Sequence, residues 1–217
     1  MARITMKKVI SLCDYTGHMV EPWADAGYEC ICVDTQHSIR ADRQRGNVKY
    51  IWADARQWWP ESTDDIAAVF AFPPCTHLAG SGARDWKKKG LTLLIDSLLI
   101  VEACRRICVA SGAPYLIENP VGRLSTIWRK PDHSFHPSDY ADYLESDADK
   151  AAEAYTKKTC LWTGGGFVMP ERRAVVPVLG SKMHLVPPGA NRQNIRSATP
   201  RGFARAVFLS NSKAKAA

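Results

Sequence analysis

The residues best suited to chemistry follow two predicted strands. Seven apolar residues, Ile66 to Phe72, lead directly into Pro73-Pro74-Cys75, and a shorter run, Tyr115 to Ile117, leads into Glu118-Asn119-Pro120. In open α/β sheets, ligands and chemistry are found at the carboxyl ends of strands. A cysteine and a carboxyl group on the same rim of a sheet predict covalent catalysis, in which a thiolate adds to an electrophilic ring.

Cytosine is a ring that would need both groups. Its C5 is a poor nucleophile, but addition of a thiolate to C6 makes C5 enamine-like. A carboxyl group facing the ring can assist by protonating N3. This chemistry requires one Cys and one Glu on rigid loops, and Pro73-Pro74 and Pro120 supply that rigidity.

Three acidic residues follow three other predicted strands. Asp14 opens the turn Asp14-x-Thr16-Gly17, Asp34 lies 17 residues after Gly17, and Asp54 ends the third strand. Small residues in the first turn let a ligand approach a helix N-terminus, and an acid after the second strand typically binds ribose hydroxyls. Turn formation or helix capping is the alternative for each acid. Because no Gly-x-Gly-x-x-Gly is present, we expect S-adenosylmethionine rather than a dinucleotide.

Alternating strands and helices must position these groups. The predicted strands are Lys8 to Cys13, Tyr28 to Val33, Val48 to Trp52, Ile66 to Phe72, Tyr115 to Ile117 and Thr159 to Trp162. The predicted helices are Met19 to Ala26, Thr92 to Ser111 and Pro200 to Leu209, the last with Thr199 as its N-cap. Ser138 to Glu153 is expected to be an exposed loop or a surface helix. This order predicts an α/β fold with a doubly wound, mostly parallel sheet.

Composition excludes several classes of protein. The 217 residues suffice for one substantial core, and no apolar run approaches the ~20 residues that a membrane helix needs. The first residues lack the apolar core of a secretory signal. Seven cysteines, an odd number without Cys-x-x-Cys, indicate a reduced intracellular protein rather than a disulfide framework or a metal site. We therefore expect a cytoplasmic, monomeric protein without a metal.

Charge is distributed unevenly along the chain. Residues 157–217 carry eleven Lys or Arg and one acidic residue, Glu171, whereas the net charge of the whole chain is +7. The basic tail suggests a polyanionic partner, most simply nucleic acid. A solvated basic face is the alternative.

The sequence resembles the DNA cytosine-5 methyltransferases, in particular the small type found in bacteriophages and prophages. The matching segments keep the order of the family's motifs and cover most of the chain. They are Asp14-Tyr15-Thr16-Gly17, Asp34, Phe72-Pro73-Pro74-Cys75, Glu118-Asn119-Pro120, Lys158-Thr159-Cys160-Leu161-Trp162, and Ser197-Ala198-Thr199-Pro200-Arg201-Gly202-Phe203-Ala204. The resemblance implies a Rossmann-like fold of the class I methyltransferase type.

The resemblance also implies roles for individual residues. Cys75 would be the nucleophile, Glu118 would hold N3 and the exocyclic amine of cytosine, and Asn119 would support the loop. The cofactor would be S-adenosylmethionine, bound by Asp14, Tyr15, Thr16, Gly17, Asp34, Thr35, Asp54, Ala55, Pro73 and Thr199. DNA, expected to be double-stranded with the target base flipped out, would be held by Arg84, Lys87, Lys157, Lys158, Arg192 and Arg196.

The chain also departs from the family pattern. Only residues 164–196 are available where larger members carry a target-recognition domain, so we expect short or lax sequence specificity. The expected division is a catalytic core over 1–163, a short basic DNA-contact region over 164–196, and a C-terminal helix over 197–217 that packs back on the core. Lys157 and Lys158 stand where the family usually has an arginine motif. His18 and Met19 replace glycines that are frequent in the first turn, which could adapt the pocket to a modified methyl donor.

Other functions remain open on the sequence alone. The same Pro-Pro-Cys and Glu-Asn pair suits an RNA cytosine-5 methyltransferase. A pyrimidine-nucleotide enzyme could use the same covalent chemistry on a monomer, although the basic tail favours a polymer. A non-catalytic, methyltransferase-like binding module is a third possibility, against which the intact Cys75 and Glu118 argue.

Overall fold

A computed structural model describes residues 6–212 of the chain. Its centre is a sheet of eight strands, in the spatial order β3-β4-β2-β1-β5-β6-β8-β7. The strands are β1 (Lys8–Leu12), β2 (Glu29–Val33), β3 (Arg43–Arg45), β4 (Val48–Ile51), β5 (Ile66–Ala71), β6 (Tyr115–Pro120), β7 (His133–Phe135) and β8 (Thr159–Gly164).

Six α-helices accompany the sheet within the described residues. They are α1 (Glu21–Asp25), α2 (Trp86–Ala110), α3 (Leu124–Ile127), α4 (Asp147–Glu153), α5 (Arg192–Ser197) and α6 (Arg201–Asn211). Helices α1 and α6 contact each other on one side of the sheet, and α2 contacts β5 and β6 on the other. None of the described helices is long and apolar enough to cross a membrane.

Five neighbouring strands, β4, β2, β1, β5 and β6, are parallel. Strand β8 is antiparallel to both β6 and β7, and β3 is an antiparallel edge strand on β4. With β3 set aside, the strand order is 3-2-1-4-5-7-6. The predicted Rossmann-like, doubly wound, mostly parallel α/β fold is therefore confirmed, and the reversed strand β8 lies directly before the edge strand β7.

The two faces of the sheet form two apolar clusters, because successive side chains of a strand point to opposite faces. Strand β1 contributes Val9 to the first cluster and Ile10 to the second. Strand β5 likewise contributes Phe70 to the first and Val69 to the second. The first cluster is closed by α1 and α6, and the second by α2. The five parallel strands are thereby fixed, together with the loops that leave their carboxyl ends.

Several elements differ from the sequence prediction. Strands β3 and β7 were not predicted. Helix α2 is interrupted by Gly90, which has non-helical φ +73°, so its longer part begins one residue before the predicted start at Thr92, and only the short segment Trp86 to Lys89 was not predicted. The segment Ser138 to Glu153 is not simply a surface element, because Tyr140 and Tyr143 are buried against Phe203 and neighbouring core side chains.

The start of the last helix also requires a correction. Pro200, not Thr199, is the N-cap of α6, and no side chain at that position caps the helix. The Glu153 carboxylate instead accepts hydrogen bonds from the backbone N–H groups of Arg201 (2.5 Å) and Gly202 (3.0 Å). A cap supplied from α4 satisfies helix donors as a local cap would, and it ties α6 to the segment that precedes β8.

Candidate active site

One cleft of about 1390 Å³ runs along the carboxyl ends of the parallel strands. Its walls include the loops after β1, β2, β4, β5 and β6, and the segment 181–199 closes it from the far side. Pockets for one drug-sized ligand measure roughly 300–1,000 Å³, so this cleft is larger than a single small ligand requires. Both predicted halves of the site, Asp34 and Cys75 among them, line this one cleft.

Cys75 lies in a tight turn directly after β5. Its carbonyl accepts hydrogen bonds from the N–H groups of Leu78 (2.9 Å) and Ala79 (2.8 Å). The Cys75 loop is bound to the loop after β6, since the Gly80 N–H donates to the Val121 carbonyl (2.8 Å) and the Arg123 N–H to the Leu78 carbonyl (2.8 Å). The turn and these two bonds hold the cysteine loop against the loop that follows Glu118.

Glu118 and Asn119 are adjacent residues of β6 and point to opposite sides of it. Glu118 lines the cleft, whereas Asn119 is buried outside it. The Asn119 side-chain amide donates to the Pro73 carbonyl (2.9 Å), two residues before the cysteine. Asn119 therefore fixes the backbone of the cysteine loop, and Glu118 keeps its carboxyl group available to a ligand.

Cys75 and Glu118 influence each other electrostatically. Burial raises the pKa of the Cys75 thiol, the Glu118 carboxylate raises it further, and the ammonium of Lys157 opposes both effects. Burial likewise raises the pKa of Glu118, again against Lys157. The two groups and one lysine thus lie close together, and both acids hold their protons more tightly than in water.

Lys157 and Arg196 bring positive charge to the cysteine. Both line the cleft and both lower the pKa of Cys75. The Lys157 ammonium donates to the Arg196 carbonyl (2.8 Å), which holds α5 beside the start of β8. The Arg196 Nε is buried and has no partner among the described residues. A buried guanidinium N–H without an acceptor is costly, so Arg196 is a candidate to bind an acceptor atom of a ligand.

The three predicted cofactor acids differ in what they already bind. The Asp14 carboxylate accepts bonds from the Ser11 hydroxyl (2.7 Å), the Thr16 hydroxyl (3.1 Å) and the Gly17 N–H (2.8 Å). It organises its own turn, as the turn-forming alternative anticipates. Gly17 is buried and does not line the cleft, although it was predicted to contact the cofactor. Its φ is +73°, and an added Cβ would collide with the Tyr50 ring.

Asp54 is engaged by its neighbour. The Arg56 guanidinium binds both of its carboxylate oxygens and also reaches Asp96 of α2, and this holds the pKa of Asp54 below its usual range. In contrast, Asp34 accepts one bond, from the Gln36 N–H (2.8 Å), through a single oxygen. Among the three acids, Asp34 thus has the greatest free capacity to bind the hydroxyls of a ribose.

Most of the predicted site residues line this cleft. Besides the catalytic pair they are Asp14, Tyr15, Thr16, Asp34, Thr35, Asp54, Ala55, Pro73, Thr199, Lys157, Lys158, Arg192 and Arg196. Arg84 and Lys87 are exposed and lie outside the lining. They stay predicted contacts to DNA that flanks the cleft.

Sequence reasoning missed His37 and the contacts it makes. Its two ring nitrogens lie 3.0 Å from the Ile51 carbonyl and 3.3 Å from the Tyr15 carbonyl, and its ring stacks on Tyr15 and meets Tyr50 edge-on. His37 therefore connects the loop after β1 with the end of β4. Nothing local in the sequence distinguishes it, because both of its partners are distant along the chain.

Two further residues line the cleft: Lys89, which the sequence already indicates as a possible clamp on the DNA backbone together with Arg84, Lys87 and Lys88, and His136, which was not predicted. The Lys89 ammonium donates to the Thr76 carbonyl (2.8 Å), next to Cys75, and the buried His136 Nδ1 has no partner among the described residues. Lys89 ends this basic run, which follows the cysteine loop. Such a run can be recognised in the sequence. His136 follows the unpredicted strand β7, so its position could not be inferred.

Comparison with known proteins adds little to this geometry. No family model matches the sequence, and no curated protein matches it. Among solved structures, the glycopeptide N-methyltransferase MtfA is similar at a TM-score of 0.31 and 11% identity, over 80% of this chain and 68% of that one. MtfA in complex with S-adenosyl-L-methionine is similar at 0.28 and 14%, over 58% of this chain and 52% of that one. At such scores the likeness assigns neither substrate nor cofactor, and the fold rests on the order of the strands themselves.

Proposed function

We propose that this protein is an S-adenosylmethionine-dependent methyltransferase that acts on C5 of cytosine in DNA through a covalent bond from Cys75 to C6. The observation that carries the proposal is the pairing of Cys75 with Glu118 at the ends of adjacent parallel strands, in one cleft that extends to Asp34. A thiol, a carboxyl group with a raised pKa and a nearby cation are the groups that this chemistry needs.

The raised pKa of Glu118 gives it a defined role. A carboxyl group that retains its proton can donate a hydrogen bond to the ring nitrogen N3 and then transfer the proton. Protonation of N3 makes C6 electrophilic enough for the Cys75 sulfur to add. The electron pair moves to C5, which would take the methyl group as the bond from methyl to the donor's sulfonium sulfur breaks and a neutral thioether leaves. A base then removes the C5 proton, the bond from the Cys75 sulfur to C6 breaks to release the thiolate, and N3 returns its proton to Glu118.

The cleft fits the proposed cofactor. Asp34 lines the cleft at the end of β2 and, unlike Asp54, is not paired with an arginine among the described residues, so it suits the hydroxyls of a ribose. Asp54 and Ala55 border the same space. When bound, S-adenosylmethionine would supply the methyl group as an electrophile. The cleft volume of about 1390 Å³ leaves room for a nucleotide beside it.

A nucleic-acid substrate would explain why the wall of the cleft opposite the predicted cofactor acids is basic. Lys157, Lys158, Arg192 and Arg196 all line that wall. A cytosine stacked in a duplex cannot reach a cysteine at the bottom of a cleft, so the base must leave the stack. The positive wall suits the phosphates on either side of such a base.

Methyl transfer from tritiated S-adenosylmethionine tests the proposal directly. We expect label in duplex DNA with the wild-type protein and none with Cys75→Ala. Single-stranded DNA and tRNA, assayed in parallel, separate a DNA enzyme from an RNA enzyme, and free dCMP tests the nucleotide alternative. Label confined to tRNA or dCMP, or equal label with Cys75→Ala, would refute the proposal.

Trapping of the covalent intermediate provides an independent readout. Cytosine analogues that carry fluorine at C5 block loss of the C5 substituent, so the adduct persists. With the cofactor present, a duplex containing 5-fluoro-2′-deoxycytidine should form a denaturation-resistant complex with the wild-type protein. Leu99→Ala, an exposed change on α2 outside the cleft, serves as the matched control and should form the same complex.

A further inference from the structure

The side chain of His37 has two ring nitrogens, and each of them faces a backbone carbonyl oxygen. Nδ1 lies 3.0 Å from the Ile51 carbonyl at the end of β4, and Nε2 lies 3.3 Å from the Tyr15 carbonyl in the turn after β1. A carbonyl oxygen accepts hydrogen bonds and cannot donate one, so each nitrogen needs its own proton to bind its partner. Neutral imidazole carries one N–H, whereas imidazolium carries two. The surroundings of the ring therefore match the imidazolium form.

His37 does not line the cleft, but residues that it holds do. Tyr15 and Asp34 both line the part of the cleft that is predicted to bind the cofactor. The His37 ring stacks on the ring of Tyr15, with 5.8 Å between their centroids, and the His37 backbone N–H donates to the Asp34 carbonyl (3.3 Å). The Ile51 carbonyl that His37 reaches also accepts a bond from the Asp34 N–H (3.1 Å). One side chain thus joins the loops after β1 and β2 to the end of β4.

We propose that His37 is a positioning residue for the cofactor: as an imidazolium it clamps the Tyr15 turn to the end of β4 and thereby tightens binding of S-adenosylmethionine, an inference that rests on the proposed function. Loss of the proton removes one N–H donor and leaves a nitrogen lone pair facing a carbonyl oxygen. Histidine is the side chain whose charge ordinarily changes between about pH 5 and 8. Cofactor affinity should therefore decrease as the pH rises and His37 becomes neutral.

Other titratable and charged groups surround His37, and one of them opposes its effect on binding. They are Asp14 and Tyr15 in the turn after β1, Asp34 after β2, Tyr50 of β4, which meets the His37 ring edge-on, and Arg43 and Arg45 of β3. Burial raises the pKa of the Asp34 carboxyl, whereas the Gln36 N–H and the charge of His37 oppose this rise. The ionised carboxylate binds ribose hydroxyls best, and it is lost as the pH falls through that raised pKa. Affinity should therefore pass through a maximum, limited by Asp34 on the acidic side and by His37 on the basic side.

The test measures the Kd of S-adenosylhomocysteine by calorimetry between about pH 6 and pH 8.5. We expect the Kd of the wild-type protein to rise roughly fivefold over this range, because one hydrogen bond of the clamp is lost. His37→Gln, which has no titratable group, should bind more weakly at the lower pH and show no such rise. His37→Arg, which can donate to both carbonyls at every pH, should bind more tightly than the wild-type protein at the upper end of the range.

A matched substitution controls for effects unrelated to the clamp. His133→Gln makes the same change on β7, outside the cleft, and should follow the wild-type curve. Titration of the ligand's own amino group is common to all four proteins and cancels when their curves are compared. The same dependence of Kd on pH in the wild-type protein and in His37→Gln would overturn the clamp and leave the proposed function in place.

Ring-nitrogen spectra of the free protein provide a second readout that needs no ligand. Protein labelled with nitrogen-15 histidine reports the protonation of each ring, and comparison with His37→Gln assigns the signals of His37. We expect both nitrogens of His37 to carry a proton at about pH 6. A neutral ring at that pH would overturn the clamp. A doubly protonated ring in a protein that binds no S-adenosylhomocysteine at any pH would leave the clamp in place and refute the proposed function.

Discussion

At the scale of single residues, the proposed reaction depends on the protonation states of Cys75 and Glu118. Burial raises the pKa of both Cys75 and Glu118, and each residue needs the opposite protonation state from the other for the reaction. The reactive pair is a thiolate beside a protonated carboxyl group, which together hold one proton. Because the Glu118 carboxylate raises the pKa of the Cys75 thiol, the protonation state of one group affects that of the other.

This coupling predicts a bell-shaped dependence of kcat/KM on pH. At low pH the pair holds two protons and the thiol cannot attack, whereas at high pH it holds none and N3 receives no proton. Glu118→Gln replaces the carboxyl group with an amide that does not titrate, so only the thiol changes its protonation state. We expect this variant to lose about 10²–10⁴ in rate and to show a rate that only rises with pH, towards the raised pKa of the thiol. Profiles of initial rate for both proteins measure this, and a preserved descending limb in Glu118→Gln would contradict it.

Lys157 sets the reactivity of the thiol in the free protein. Its ammonium lowers the pKa of both Cys75 and Glu118, so its removal should raise both. We expect Lys157→Met to shift the pH dependence of Cys75 alkylation by iodoacetamide to higher pH, and therefore to slow alkylation at pH 8. Mass spectrometry of the Cys75 peptide follows the modification.

The neighbouring lysine provides the control for this prediction. Lys158 is exposed, lines the same cleft and is not among the charges that shift the pKa of Cys75. Lys158→Met should therefore alkylate like the wild-type protein. An identical shift in both variants would mean that the effect is general electrostatics rather than the Lys157 contact.

At the scale of elements, the site depends on the pairing of two loops. Ala79 and Gly122 form an isolated antiparallel bridge between the cysteine loop and the loop after β6. A Cβ at Gly122 would overlap the Leu78 carbonyl and lie 3.0 Å from the Ala79 Cα. The backbones approach so closely that only glycine fits.

We therefore expect Gly122→Ala to push the two loops apart. The change should destabilise the protein by about 1–3 kcal/mol, the cost typical of overpacking, and should lower methyl transfer strongly because Cys75 and Glu118 separate. Gly82→Ala, in the same region but with no contact nearer than 3.8 Å to an added Cβ, should change the free energy of unfolding by less than about 1 kcal/mol. Urea denaturation and initial rates measure both effects, and equal destabilisation of the two variants would contradict the prediction.

The strands differ in how well they can be predicted from the sequence. The run before Cys75 is apolar and long enough to indicate a buried strand, and the short apolar run before Glu118 leads into a proline-containing segment in the same way, so the proposed catalytic pair could be placed on one rim in advance. Strands β3 and β7 have three residues each, too few for a periodic pattern, and they form only because a neighbouring strand is present. The contact of Lys157 with Arg196, 39 residues later, is likewise invisible locally. Tertiary packing, not propensity, decides such features.

At the scale of the whole molecule, basic side chains gather in one wall of the cleft. The carboxyl ends of the strands carry the cleft with Lys157, Lys158, Arg192 and Arg196 in its wall. Helix α2 returns towards the opposite edge, where the Arg105 guanidinium is neutralised by Glu102 (2.6 Å). None of the four basic side chains of the cleft wall forms a salt bridge within residues 6–212, so their charge favours approach of a polyanion to this wall.

This layout predicts how DNA binding depends on salt. Each lysine or arginine that neutralises a phosphate releases counterions, so log K falls with log salt by about 0.9 per contact. We expect Lys158→Ala and Arg192→Ala each to reduce the slope by about one and to weaken binding to all sequences alike. Arg105→Ala removes the same charge at the opposite edge and should leave the slope unchanged.

Fluorescence anisotropy with a labelled duplex between 50 and 200 mM salt, the range over which such contacts change affinity strongly, measures the slopes. If all three variants lost the same slope, net charge rather than the cleft wall would govern binding, and the DNA interface would have to lie elsewhere on the surface.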